Sequence, residues 1–266
     1  MLSVGGWGAD GFSQAASTAE GRALFAETAL ALMQKHGFLG LDVDWEYPGS
    51  SAGGIASSKS DKQNFTLLLR ELRSGLDALT AQDGKTRRLC IAVSGDPAMT
   101  SSIECAAVAA LVDQVNVMTY DLQTVSVASH HTALYSAGPS YPLCADSAVS
   151  AYAKAGIPKA KLMLGAAFYG HVWTTGESEP LFVSAKHTGT LTYKRIREMN
   201  LTELWDEKAR APFLMNGQKF ISFDSVRSIR EKGAYVHQNG LMGLMTWELG
   251  GDADGELTQA LIGSVK

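Results

Sequence analysis

A chain of 266 residues, 45% hydrophobic and 19% charged, is long enough for one large domain with a substantial buried core. Its net charge of -4 argues against a nucleic-acid binder, which carries a basic patch, and no run of 18 apolar residues marks a membrane span. The three cysteines, Cys90, Cys105 and Cys144, lack CxxC spacing, so neither a metal nor a cofactor is expected.

Short apolar runs at 2–5, 38–44, 89–94, 114–118, 161–166 and 243–247 read as buried parallel strands. Amphipathic stretches at 18–36, 61–79, 101–111 and 146–155 alternate with them as helices. Ser60, with Gln63 three residues on, has the pattern of a capping box. Cys90, inside LCIAV, is expected to be a buried thiol, while Cys105 and Cys144 are open to pairing. A longer excursion at 171–240 precedes the last strand. It holds a helical piece at 193–199, a hairpin signal at Asn216-Gly217 and a final helix at 226–237. The βα alternation gives an α/β fold, either an open doubly wound sheet or a closed barrel, and polar residues at the strand ends stand where a (β/α) barrel keeps its active site. One domain over 1–266 is expected, with 171–240 as an insertion. No basic segment followed by an apolar one opens the chain, so no secretion signal is read there.

Residues 38–48 read FLGLDVDWEYP. In a strand, Asp42, Asp44 and Glu46 take one face and Leu41, Val43 and Trp45 the other. An apolar outer set implies that both faces are covered and that the acids line an interior. Crowded, poorly solvated carboxylates repel one another, which raises a pKa and leaves one acid protonated near neutrality.

Five motifs then carry a resemblance. LDVDWEYPG (41–49) is similar to the DxxDxDxE signature of glycoside hydrolase family 18, the chitinases and their relatives. LSVGGW (2–7) resembles the family's motif on the third barrel strand, VNVMTYDL (115–122) that on the sixth, AAFYG (166–170) that on the seventh and GLMTWELGGD (243–252) that on the eighth. The resemblance implies retaining cleavage of β-1,4 bonds in chitin or chito-oligosaccharides, with the substrate's acetamido oxygen replacing an enzyme nucleophile. It implies Glu46 as general acid/base with a raised pKa, Asp44 bonding the acetamido N–H, and Asp42 sharing a proton with Asp44. It further implies Tyr120 against the acetamido oxygen beside Asp121, Met118 on the pocket floor and Trp247 under the sugar. Trp7, Tyr47, Tyr169 and Trp173 are further candidates for sugar stacking. Gly5 and Gly6 are expected to serve close packing. His130 and His131 are read as loop residues without a ligand set, and His171 stands where many relatives carry arginine.

The sequence departs from the family pattern twice. Leu39 occupies the place of the first acid, and the third-strand motif begins at residue 2, so two βα units of about 30 residues each are expected to be missing. The exposed edges of such a barrel lead to an expectation of homodimers. The competing readings are a non-catalytic lectin-like protein and an endo-β-N-acetylglucosaminidase. The substrate favours an extracellular setting.

Overall fold

The computed structural model describes residues 1–122, 126–176 and 181–264, so the part of the excursion at 177–180 lies outside the described residues. Along the chain run β1 (Leu2–Gly5), α1 (Phe12–Ala16), α2 (Ala19–Lys35), β2 (Gly40–Asp44), α3 (Asp61–Asp83), β3 (Arg88–Ser94), α4 (Cys105–Ala109), β4 (Gln114–Met118) and α5 (Ala145–Lys154). There follow β5 (Leu162–Ala167), β6 (Tyr169–Thr175), β7 (Ala185–Thr192), α6 (Tyr193–Glu198), β8 (Leu204–Asp206), β9 (Ala211–Asn216), β10 (Lys219–Phe223), α7 (Val226–Asn239), β11 (Gly243–Trp247) and α8 (Glu256–Ser264). The chain divides into two compact units, the first made of Met1–Ser94, Ala98–Val117 and Ala151–Leu162, the second of the rest.

In the first unit the strands lie in the order β1-β2-β3-β4, with β1 parallel to β2 and β2 parallel to β3. Leu41, Val43 and Trp45, the predicted outer set of β2, are each 1% exposed. Phe12 of α1 stacks on Trp45 with centroids 5.3 Å apart, and Phe65 of α3 meets the same ring edge-on at 5.7 Å. Aromatic burial of this kind fixes the strand's register, because a slip by one residue would turn the acids into that core. Gly5, at φ 124°, lies so close to β2 that a side chain there would sit 1.9 Å from the Asp44 carbonyl oxygen. Its role is therefore close packing, as expected.

The predicted capping box at Ser60 does not form: Ser60 makes no side-chain cap. The adjacent Asp61 takes over. Fully buried, it accepts hydrogen bonds from Ser13 Oγ (2.7 Å), Ser58 N (2.7 Å) and Gly49 N (3.2 Å). One carboxylate thus ties α1 and the loop after β2 to the start of α3. The helix expected at 101–111 is also shorter, a 3₁₀ turn at Pro97–Ser102 followed by α4.

In the second unit β5 and β11 pair in parallel, and the excursion folds as an antiparallel sheet in the order β7-β6-β10-β9-β8. Asn216 pairs with Lys219, so the hairpin turn is Gly217 and Gln218, one residue beyond the expected pair, with Gly217 at φ 59°. Trp173 is fully buried in a cluster with Ala128 and Phe220, which removes it from the sugar-stacking candidates. The base of this unit holds a buried ion pair, Lys232 Nζ to Asp224 Oδ2 at 2.6 Å. Asp224 also accepts from Ala167 N, Thr132 Oγ1 and Ser228 Oγ, so its charge is fully engaged. Cys90, Cys105 and Cys144 are all buried and free, so Cys105 and Cys144 do not pair. Among the described residues no helix is long and apolar enough to cross a membrane.

Asp61→Ala strands three donors in a site that solvent does not reach. It should lower unfolding free energy by about 3 kcal/mol in a denaturant titration. A loss under about 1 kcal/mol would show that Asp61 is not the anchor described here.

Candidate active site

Strand alternation places Asp42 and Asp44 on the face opposite the Trp45 core, both partly accessible, and Glu46 follows two residues past the end of β2. Leu39, 50% exposed, precedes the strand, outside this cluster. Asp42 is held from two sides, by Ser3 Oγ on Oδ2 (2.7 Å) and Asn116 Nδ2 on Oδ1 (3.0 Å). Burial raises its pKa, and these two bonds oppose the rise. Asp44 has no such support: its Oδ1 is buried without a hydrogen-bond partner among the described residues. Desolvation first, then the charges of Glu46 and Asp42, push the Asp44 carboxyl up to about 7. Near neutral pH the group is therefore divided between its protonated and ionised forms, so it can donate as well as accept.

Tyr47 shares hydrogen bonds with Glu46 and Ser94, and desolvation followed by the Glu46 charge raises its phenol well above the usual range. It therefore stays neutral and works as a hydrogen-bonding partner of Glu46. The Glu46–Tyr47 peptide bond is cis. Trp7 is 64% exposed and meets Tyr47 edge-on at 6.5 Å, so an open aromatic face stands beside this acidic end.

The second unit gathers a different cluster. Tyr120 and Asp121 follow β4, and Asp121 adopts a left-handed backbone (φ 57°), a conformation that aspartate tolerates better than most residues. Its Oδ1 accepts from the Tyr169 hydroxyl at 2.7 Å and lies 2.7 Å from His171 Nε2. His131 Nδ1 stands 3.7 Å from the same oxygen and contacts the Asp121 N–H at 3.4 Å. Burial of its inner edge would raise the Asp121 pKa, but the bonds from His131, His171 and Tyr169 override it and hold the carboxyl far below the usual range. Burial also lowers His131 to about 4, so its ring is neutral at pH 7. His171 Nδ1 in turn meets His187 Nε2 at 2.8 Å.

Tyr120 is nearly buried, with its ring edge-on to Tyr169 and its hydroxyl 3.8 Å from the Met245 sulfur. Met118 is half-buried at the end of β4, and Trp247 closes β11 with 57% of its surface exposed. His130 and His131 lie in a loop, as expected, but not without carboxylate partners. Both are buried, His130 against Asp206 at 3.1 Å and His131 against Asp121. The joint role of His131, His171 and His187 was not legible because their partners lie 10, 50 and 16 residues away with no periodic spacing to link them. The only sequence signal was Asp121 itself, an acid directly after an apolar strand.

Carboxylates aligned at the C-terminal end of a parallel strand, one of them with its pKa raised to about 7, form a candidate acid/base site on a fold of the (β/α) barrel type. Residues 1–252 match the profile of Glycosyl hydrolases family 18. The chain is 35% identical over 293 residues to Chitinase A1 of Niallia circulans, covering 98% of this chain and 42% of that protein. Among solved structures it resembles a glycoside hydrolase family 18 N-acetylglucosaminidase from Paenibacillus barengoltzii, with TM-score 0.94, 38% identity, and coverage of 100% of this chain and 82% of that one. A chitinase-like agglutinin from Robinia pseudoacacia matches with TM-score 0.89 and 30% identity over 100% of this chain and 80% of its own. The chain therefore belongs to glycoside hydrolase family 18. It spans about half the length of the curated relatives it matches, from 42% to 63% of the first three.

A carboxyl whose folded-state pKa is raised stabilises the fold at low pH, and that stability is lost as pH rises toward the folded value. For Asp44 the window runs from the ordinary 3.8 to about 7. Asp44→Asn should thus be more stable than the wild type at about pH 8, by roughly 1–2 kcal/mol once partial solvation is discounted. The gap should close as pH falls to about 4, read by denaturant titration at each pH. A gap independent of pH would contradict the raised carboxyl.

Proposed function

We propose that the chain is a chitinase that hydrolyses β-1,4-linked N-acetylglucosamine polymers or oligomers, with retention, by substrate-assisted catalysis. The observation that carries this reading is Asp44, whose carboxyl, raised to about 7, has an unpartnered buried oxygen beside Glu46. Such a group suits a substrate amide, which presents both a donor and an acceptor. In this reading Glu46 protonates the leaving oxygen and later activates water. Asp44 accepts the acetamido N–H through its unpartnered Oδ1; it shares its proton with Asp42 and, in its ionised form, stabilises the positive charge that develops on the ring formed by the acetamido group. The gain is that attack becomes intramolecular. Asp42, fixed by Ser3 and Asn116, keeps a second charge near Asp44 and holds the proton there.

The roles of Tyr120, as donor to the acetamido oxygen, and of Asp121, which orients the end of β4, follow the family pattern. Exposed Trp247 and Trp7, with half-buried Tyr47, are assigned to the sugar's apolar faces, with Met118 lining the acetamido pocket and Tyr169 serving through Asp121. The likeness to an N-acetylglucosaminidase supports a second reading, release of single N-acetylglucosamine units, and product analysis on chitotriose to chitohexaose separates the two. Pairing of two copies along the free side of β1 is a further part of the proposal; light scattering that gives a monomer at every concentration removes it.

Glu46→Gln should lower turnover of a fluorogenic N,N′-diacetylchitobioside by about 10³-fold while chito-oligosaccharide binding stays within a few fold of wild type. Retained turnover in the variant would overturn the role of Glu46. Absent turnover in the wild type, with binding intact, would instead favour a lectin.

A further inference from the structure

The His131 and His171 imidazoles reach one carboxylate from segments forty residues apart in the chain. We propose that Asp121, His131 and His171 form a binding site for one divalent transition-metal ion of the zinc type. The donor atoms, a carboxylate oxygen and the two ring nitrogens, all lie within 4.8 Å of one another. Tetrahedral zinc, with bonds of about 2.0–2.1 Å, sets its ligands about 3.3 Å apart. Asp121 Oδ1 lies 2.7 Å from His171 Nε2 and 3.7 Å from His131 Nδ1, on either side of that spacing. The three donors thus lie within an ångström or so of tetrahedral spacing.

The donors suit the ion. Two imidazoles and one carboxylate select zinc, nickel or copper over magnesium or calcium, which prefer all-oxygen sets. His131 Nδ1 faces Asp121 through two long contacts, 3.4 Å to its N–H and 3.7 Å to Oδ1, which an ion between the two groups would replace. His171 is held through its other nitrogen by His187 at 2.8 Å, the outer partner that a metal-binding imidazole commonly has. Asp121 is 54% exposed at the side-chain level, which gives an ion its way in and leaves a position for water. The other histidine–carboxylate contact, His130 with Asp206, brings one imidazole only.

Occupancy draws Asp121 away from Tyr169 and His171, so under the hydrolysis proposed above zinc acts as an inhibitor. Binding measured without substrate separates failure of the metal site from failure of that reading. Titration of the whole chain with Zn²⁺ in a calorimeter, in a non-coordinating buffer, should give one ion per chain. Co²⁺ should show visible ligand-field bands on binding. His171→Gln and Asp121→Asn should each weaken Zn²⁺ by at least about 10-fold and abolish the cobalt bands, and His187→Gln should weaken it by about 10-fold. Two ligand variants are used so that misfolding of one, seen by circular dichroism, leaves the other decisive. Absence of saturable binding at millimolar Zn²⁺ overturns the proposal. So does unchanged affinity in the ligand variants, or binding that is lost instead in His36→Gln or His237→Gln.

Discussion

Everything at the acidic end of β2 depends on the burial of Leu41, Val43 and Trp45 on its other face. A strand offers two faces only, and the stack of Phe12, Trp45 and Phe65 occupies one of them. The carboxylates have no alternative position that does not place charge in that aromatic core. The acid cluster is therefore not held by mutual attraction, since the groups repel. It is held by hydrophobic contacts behind it, and Gly5 lets β1 approach near enough for Gly6 N to bond the Asp44 carbonyl at 2.8 Å. Packing energy on one face is what makes like-charge crowding on the other tolerable.

The second unit solves the opposite problem. There one carboxylate, Asp121, is surrounded by donors and kept ionised, while His131 is kept neutral by burial. The contrast between Asp44 and Asp121 is one of environment, because the side chains are chemically identical. Asp44 faces two other acids with one oxygen unpartnered, and Asp121 faces Tyr169 and His171. Pushing two aspartates in opposite directions separates a proton carrier from a fixed negative charge.

The legible parts of this chain were those governed by short periods. The alternation through β2 gave its faces, and the apolar runs gave β1, β4 and β11 to the residue, because buried strands have a local signature. Local chemistry also misled where a tertiary contact outbid it. Ser60 reads as an N-cap, but the buried Asp61 finds three donors instead. Trp173 reads as a rim aromatic because nothing in the sequence says which face of β6 is covered by β10's side of the sheet, where Phe220 packs on it. The histidine cluster was illegible for the same reason: His131 and His171 acquire meaning only once the loop after β4 and strand β6 bring them to Asp121.

Four buried or half-buried aspartates allow a final argument about which charges this fold needs. Asp61 accepts three hydrogen bonds, and Asp224 accepts three and pairs with Lys232, so each is compensated where it lies. Asp42 has a donor on each oxygen. Each of the three fits a structural role, since an engaged carboxylate fixes the elements that supply its donors. Asp44 fixes nothing in this way: it crosslinks no element through Oδ1 and is driven to hold a proton at neutral pH. Stability alone would favour a neutral, well-packed side chain at that position. An acid that costs stability with no partner on Oδ1 fits the proposed reading of Asp44 as a group that acts on a bound substrate.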